Sequence, residues 1–183
     1  MTSRRGAGHD ELPPLPEGLE DDRAHPLPAL GRRLPLVPAH IHRRVTTALQ
    51  PSFRLPFVVA AIVGLVALDA WLVATLGAGV AVAARQLIFL PYLLLPMALL
   101  LLLMSGVHEL GHAVAARCGG ARPGAMGVGV RLVWPVFTTD VAHLDRLDRR
   151  GRLRVDAGGI YFDVLFTLAA GGLYLATHHV LFL

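Results

Sequence analysis

Three long apolar runs separated by charged stretches organise this chain. Phe57 to Gly77 is interrupted only by Asp69, Leu87 to Val107 carries no charge, and Gly158 to Leu183 carries only Asp163 and the His178-His179 pair. The apolar residues are bunched rather than spaced along one face, which argues against an amphipathic soluble bundle. At a rise of about 1.5 Å per residue, each run is long enough to cross about 30 Å of hydrocarbon. The expected fold is an all-α membrane protein with three transmembrane helices near residues 57–77, 87–117 and 158–183. Together they form a membrane-embedded core over residues 56–183. A single helix over residues 87–117 would be about 46 Å long, so Pro91 and Pro96 are expected to kink or start it. With Pro96 in the first helical position, Met97 to Arg117 spans the membrane alone, and Gly119-Gly120 stops it.

The flanking segments read differently. Pro13, Pro14, Pro16, Pro26, Pro28, Pro35 and Pro38 forbid a long helix, so residues 1–55 are expected to be a disordered, proline-rich cytosolic tail. In that tail Leu12 to Pro16 reads as a linker, and His40 to Arg44 as a solvated anchor beside the membrane. Between the second and third runs, Met126, Val128, Val130, Leu132 and Trp134 alternate with Gly127, Gly129, Arg131 and Val133 until Pro135. That period of two predicts a strand, and Val136 to Val141 predicts a second, giving a small hairpin-like loop. An exposed edge at Val128, Val130 and Leu132 could hold an extended peptide by backbone hydrogen bonds. The competing reading is an amphipathic hairpin resting at the membrane surface. Asp145 to Arg154 reads as a basic surface facing lipid headgroups.

Charge orients the spans. Every one of the 17 basic residues is an arginine, against 13 acidic residues. Arg43, Arg44 and Arg54 precede the first span, only Arg85 lies between the first and second, and eight arginines from Arg117 to Arg154 lie between the second and third. Arginine concentrates on the cytosolic side of membrane proteins. The N-terminus and the long second loop are therefore expected in the cytosol and the C-terminus outside. The basic balance is explained by the bilayer and does not call for nucleic acid. The first apolar run begins more than fifty residues in, too late for a cleaved signal peptide. The lone Cys118 has no internal disulfide partner, falls on the reducing side, and is a poor zinc ligand because it lies six residues after His112, past the expected helix end.

The chemistry concentrates in His108-Glu109-Leu110-Gly111-His112. On a helix, positions i and i+4 share a face, so the two imidazoles can reach one metal ion, with Glu109 rotated about 100° from His108 toward a bound water. Zinc takes imidazole nitrogens and keeps an open position for water in catalytic sites. It brings that water's pKa to about 7, where a carboxylate can remove the proton. Histidine and glutamate are costly inside apolar helices, so a site is the default reading, with interfacial or capping histidines as the bland one. His112 and His108 fall about 7 and 13 Å inward from Arg117, inside the inner leaflet. Counted from Asp156, Asp163 lies about 10 Å along the third span, at matching depth. It is a candidate zinc ligand or a hydrogen-bond partner of a ligating histidine. Asp69, near the centre of the first span, reads as a helix-packing hydrogen bond. His178 and His179 fall near the outer face, too far away to be ligands.

The helix carrying His108 to His112 resembles the zinc helix of the site-2 protease family of intramembrane metalloproteases, and most closely its bacterial peptide zinc metalloprotease branch. That branch follows its zinc helix with an aromatic-Pro-x-Phe-x-x-Asp-Val segment, matched by Trp134 to Val141, then a basic run and a helix opening matched by Gly159-Ile160-Tyr161-Phe162-Asp163. The likeness covers about residues 97–175. It implies His108 and His112 as zinc ligands, Glu109 as general base, and Asp163 at a polar position facing the site. The family takes its third ligand from an Asp in an Asn-Pro-x-x-x-x-Asp-Gly type motif on a later helix, and Leu183 precedes any such motif. The resemblance therefore implies a chain truncated before its third ligand, or one completed by a partner chain.

Three functions are weighed. The first is an intramembrane zinc endopeptidase acting on a membrane-spanning or membrane-associated peptide. The second is a catalytically incomplete relative with a binding role. The third is a zinc transporter, disfavoured because the outer half of the second run has almost no polar residue to line a path. The charge reading makes a checkable prediction. A phosphatase that works only outside the cytosol should be active when fused after Leu183 and inactive when fused after Arg122; the reverse pattern would invert the topology.

Overall fold

A computed structural model describes residues 34–131, 134–142 and 147–178. The chain is mostly helical, and a small antiparallel sheet sits against one end of the helices. The elements run β1 (Leu34–Val37), α1 (Ala39–Leu49), a 3-10 turn (Gln50–Phe53), α2 (Leu55–Phe89), a second 3-10 turn (Pro91–Leu93), α3 (Leu94–Cys118), β2 (Arg122–Arg131), β3 (Trp134–Ala142) and α4 (Arg149–Thr177). Three helical stretches are long and apolar enough to cross a membrane: Leu55–Gly77, Pro91–Cys118 and Arg149–Thr177.

Local chemistry sets the helix ends. α2 breaks at Gly77 (φ 23°, ψ −96°), which closes its spanning part where the first apolar run ends. Residues 87–89 finish α2 rather than start the second span. Pro91 opens a 3-10 turn instead, and α3 follows from Leu94. Gly119 caps α3 and Gly120 turns away at φ 90°, so the glycine pair stops this helix as expected. The third helix begins nine residues earlier than the apolar run that was expected to define it. The Asp148 side chain accepts from the Gly151 amide at 2.7 Å and starts α4 ahead of its arginine-rich first turns. Arg149 to Arg154 are thus helical rather than loop.

The largest departure lies in residues 34–55, expected to belong to a disordered tail. Leu34–Val37 forms β1, paired antiparallel with β2 through Leu34↔Val128, Pro35↔Gly127 and Val37↔Met126. The prolines are tolerated because an edge strand needs few donors and Pro38 sits at a helix N-cap. His42, in the stretch expected to be solvated, is 1% exposed, and its Nδ1 donates to the Gly124 carbonyl at 2.8 Å, tying α1 to β2. Phe53 packs against Tyr161 and Phe162 at centroid distances of 5.1 and 5.9 Å, and the Tyr161 hydroxyl donates to the Ser52 carbonyl at 2.7 Å. Residues 1–33, including the Leu12 to Pro16 stretch, lie outside the described residues.

The expected two-strand hairpin is consequently part of a three-stranded sheet in the order β1-β2-β3. This corrects the all-α expectation and moves the exposed edge. β2 is the central strand, with Val128 between Leu34 and Phe137, so Val128 and Val130 do not lie on the free edge of β3. Leu132 lies outside the described residues.

α4 packs most extensively on α3, and glycines set the spacing. A Cβ on Gly111 would collide with the Gly158 carbonyl oxygen and come within 2.8 Å of Phe162 Cβ. A Cβ on Gly158 would come within 2.7 Å of both Ala115 Cβ and the Gly111 carbonyl oxygen. Small residues at the contact let the backbones approach, the usual way apolar helices associate where lipid removes the hydrophobic drive. Gly158→Val should therefore destabilise the fold by about 1–3 kcal/mol in a detergent unfolding titration. Gly172→Ala, with nothing within 4 Å of the new methyl, should leave the midpoint unchanged or raise it.

Candidate metal centre

His108 and His112 project from α3 toward α4, one turn apart, as the i, i+4 spacing dictates. Behind each ring stands a fixed acceptor. His108 Nδ1 donates to Asp163 Oδ2 at 2.8 Å, and His112 Nδ1 donates to the Val155 backbone carbonyl at 2.6 Å. Both acceptors belong to α4. A carbonyl can only accept, so the proton on His112 is on Nδ1; the Asp163 oxygen that accepts from His108 Nδ1 gives His108 the same tautomer. The two Nε2 atoms are left facing each other at 3.0 Å.

Facing lone pairs repel unless a proton or a metal cation lies between them. Two nitrogens each about 2.0–2.1 Å from one tetrahedral zinc would stand about 3.3 Å apart, close to the separation seen. Histidines that bind metals commonly give their second nitrogen to a carboxylate or carbonyl, as both do here. The donor set therefore fits one divalent cation through two nitrogens. Among the described residues, no group of three or more His, Cys, Asp or Glu side chains is arranged to hold a metal ion.

Asp163 stands on the Nδ1 side of His108, in the position of a ligand's hydrogen-bond partner rather than that of a ligand to the Nε2 side. Its Oδ1 is buried and has no hydrogen-bond partner among the described residues. Glu109 is half-buried, within electrostatic reach of both imidazoles, and its carboxylate accepts from the backbone amide of Thr139. β3 thus reaches α3 at the level of Glu109, and Phe137 lies against Gly106 one turn further along. Cys118 lies at the far end of α3, half-buried against the core rather than beside the histidines. His178 caps the opposite end of α4 in a left-handed conformation, and His179 lies outside the described residues.

Gly159 was missed. A Cβ there would come within 2.5 Å of His108 Nε2 and 2.6 Å of His112 Nε2. The paired nitrogens sit over bare backbone, and any side chain would occupy the space between the rings and α4. The signal was present in the sequence as Gly158-Gly159 opening an apolar run, a small-residue pair of the kind used for close approach. His42 was also missed as a buried group. It lines an apolar cavity of about 420 Å³ with Leu99, Leu103, Gly106, Leu110 and Phe137, bounded by α1, α3 and the sheet.

No family model, no curated protein and no solved structure matches this chain. The geometry of the histidine pair therefore carries the argument. Replacing Gly159 with Val should force the two rings apart, read as loss of the nuclear Overhauser contact between the His108 and His112 Cε1 protons. Survival of that contact would contradict the packing described.

Proposed function

We propose that the protein is an intramembrane zinc endopeptidase of the site-2 protease type, hydrolysing a peptide bond in a membrane-spanning or membrane-associated peptide. One observation carries this reading: two Nε2 lone pairs held face to face by acceptors behind both rings. His108 and His112 would hold zinc through Nε2, with Asp163 and the Val155 carbonyl fixing their tautomers. When bound, zinc supplies a Lewis acid that acidifies water and polarises an amide carbonyl.

The chain's own residues account for the rest. Glu109, one position from His108 and beside the Thr139 amide, would take a proton from water and return it to the leaving amine nitrogen. The free edge of β3, rather than Val128 and Val130 on the central strand, is the surface for an extended substrate. The apolar cavity beside α3 suits an apolar flank of that substrate. A substrate helix must unwind locally to present its amide to such an edge. Three apolar helices support an integral membrane protein. The cytosolic N-terminus and outward C-terminus rest on arginine placement alone, and the bacterial cytoplasmic membrane rests on the family resemblance.

Two histidines leave zinc one protein ligand short of the usual three. In the peptidase reading, the third comes from a partner chain or from residues outside those described. The second reading is a membrane-embedded relative with a binding role and no hydrolysis, favoured by the lack of a third converging donor among the described residues.

Metal content and cleavage separate the two. Purified protein in detergent should hold one zinc per chain, and Asp163→Ala should weaken zinc binding by roughly 10–100-fold in a chelator competition. Glu109→Gln should keep zinc and lose cleavage of a reporter transmembrane peptide. Zinc retained with no cleavage by the unaltered chain would favour the binding role, and no zinc at all would end the peptidase reading.

A further inference from the structure

Asp69 has no role in the site. It lies about 21 Å along α2 from Leu55, deep within the spanning stretch Leu55–Gly77. It was expected to make a packing hydrogen bond. Instead its side chain is exposed, and among the described residues it has no hydrogen-bond or ion-pair partner. An ionisable group facing hydrocarbon alone is strongly disfavoured, so such residues pair with something.

The neighbours of Asp69 define a surface. Leu55, Val59, Ile62, Val66, Asp69 and Val73 are spaced 4-3-4-3-4, and all six are exposed. At about 100° per residue they fall within about 80° of arc. Spacing of this kind is what a helix presents to a second helix wound against it. The opposite side of α2 is already used: Gly64 and Leu68 pack against Leu168 and Gly171 of α4. The stripe is therefore an unpartnered helix face with one acidic position in it.

We infer that this face binds a transmembrane helix of another protein carrying an arginine or lysine at the depth of Asp69. Charge complementarity chooses the occupant. A second copy inserted in the same orientation would bring Asp69 against Asp69 and supply no cation. The described spans of this chain carry no arginine near that depth, since Arg54 and Arg85 flank the first span, Arg117 lies at the end of the second, and Arg149, Arg150, Arg152 and Arg154 lie in the opening turns of the third. The helix pair would be held by one charge-assisted contact flanked by interdigitating valines. This inference is independent of the metal centre, which lies on α3 and α4.

The test is disulfide cross-linking in phosphatidylcholine vesicles. The full chain carries Val66→Cys in a Cys118→Ser background. The probe is a synthetic 23-residue leucine helix with a cysteine one turn from its centre and arginine at the centre, and the control peptide has leucine there. The arginine peptide should cross-link roughly tenfold more than the leucine peptide. Asp69→Leu should reduce it to the leucine-peptide level. Asp69→Asn, which keeps size and polarity, should lower it as well. Equal yields for the two peptides, or an arginine-peptide yield unchanged in both variants, would overturn the inference. Self-cross-linking that the arginine peptide fails to displace and Asp69→Leu abolishes would also overturn it, giving the face to a second copy.

Discussion

Two imidazole nitrogens pointing at one another across 3.0 Å are the constraint around which this structure is arranged. Neither ring is free to turn. Each is held from behind by an acceptor on α4, one a carboxylate and one a backbone carbonyl. That grip works only because α4 runs very close to α3, and the closeness depends on Gly111, Gly158 and Gly159 having no side chains. The glycines, the acceptors and the histidines thus form one unit: remove the close approach and the acceptors lose their rings.

The remainder of the fold closes around that unit. The N-terminal segment lays β1 beside β2, buries His42 under the sheet, and wedges Phe53 against Tyr161 and Phe162 midway along α4. The sheet in turn brings the Thr139 amide to Glu109. Backbone away from a helix is tolerated at membrane depth only where protein covers it or water reaches it. A strand edge next to a half-buried carboxylate meets that condition if the site admits water, which the proposed hydrolysis also requires.

Much of this was legible in residue order, for identifiable reasons. The three apolar helices follow from bunched hydrophobicity, and the helix stop at Gly119-Gly120 from glycine's backbone freedom. The histidine pair and Asp163 were found because polar groups are conspicuous in apolar runs. Proline misled at residues 34–55, since it excludes helix interiors but not edge strands or helix starts. The central position of β2 could not be read because its partner β1 lies some ninety residues upstream, and periodicity carries no information about pairing. Gly159 escaped because an absent side chain is informative only once the neighbouring rings are in place. Asp163's position behind His108 rather than in front of it is a matter of which ring nitrogen it meets, and no spacing rule distinguishes the two.

The central claim is most directly tested by nitrogen-15 NMR of the histidine side chains in the purified, detergent-solubilised protein. The account predicts that His108 and His112 both carry their proton on Nδ1, and that one equivalent of zinc shifts both Nε2 resonances together. A bare Nδ1 on either ring, or Nε2 resonances that ignore zinc, would contradict it.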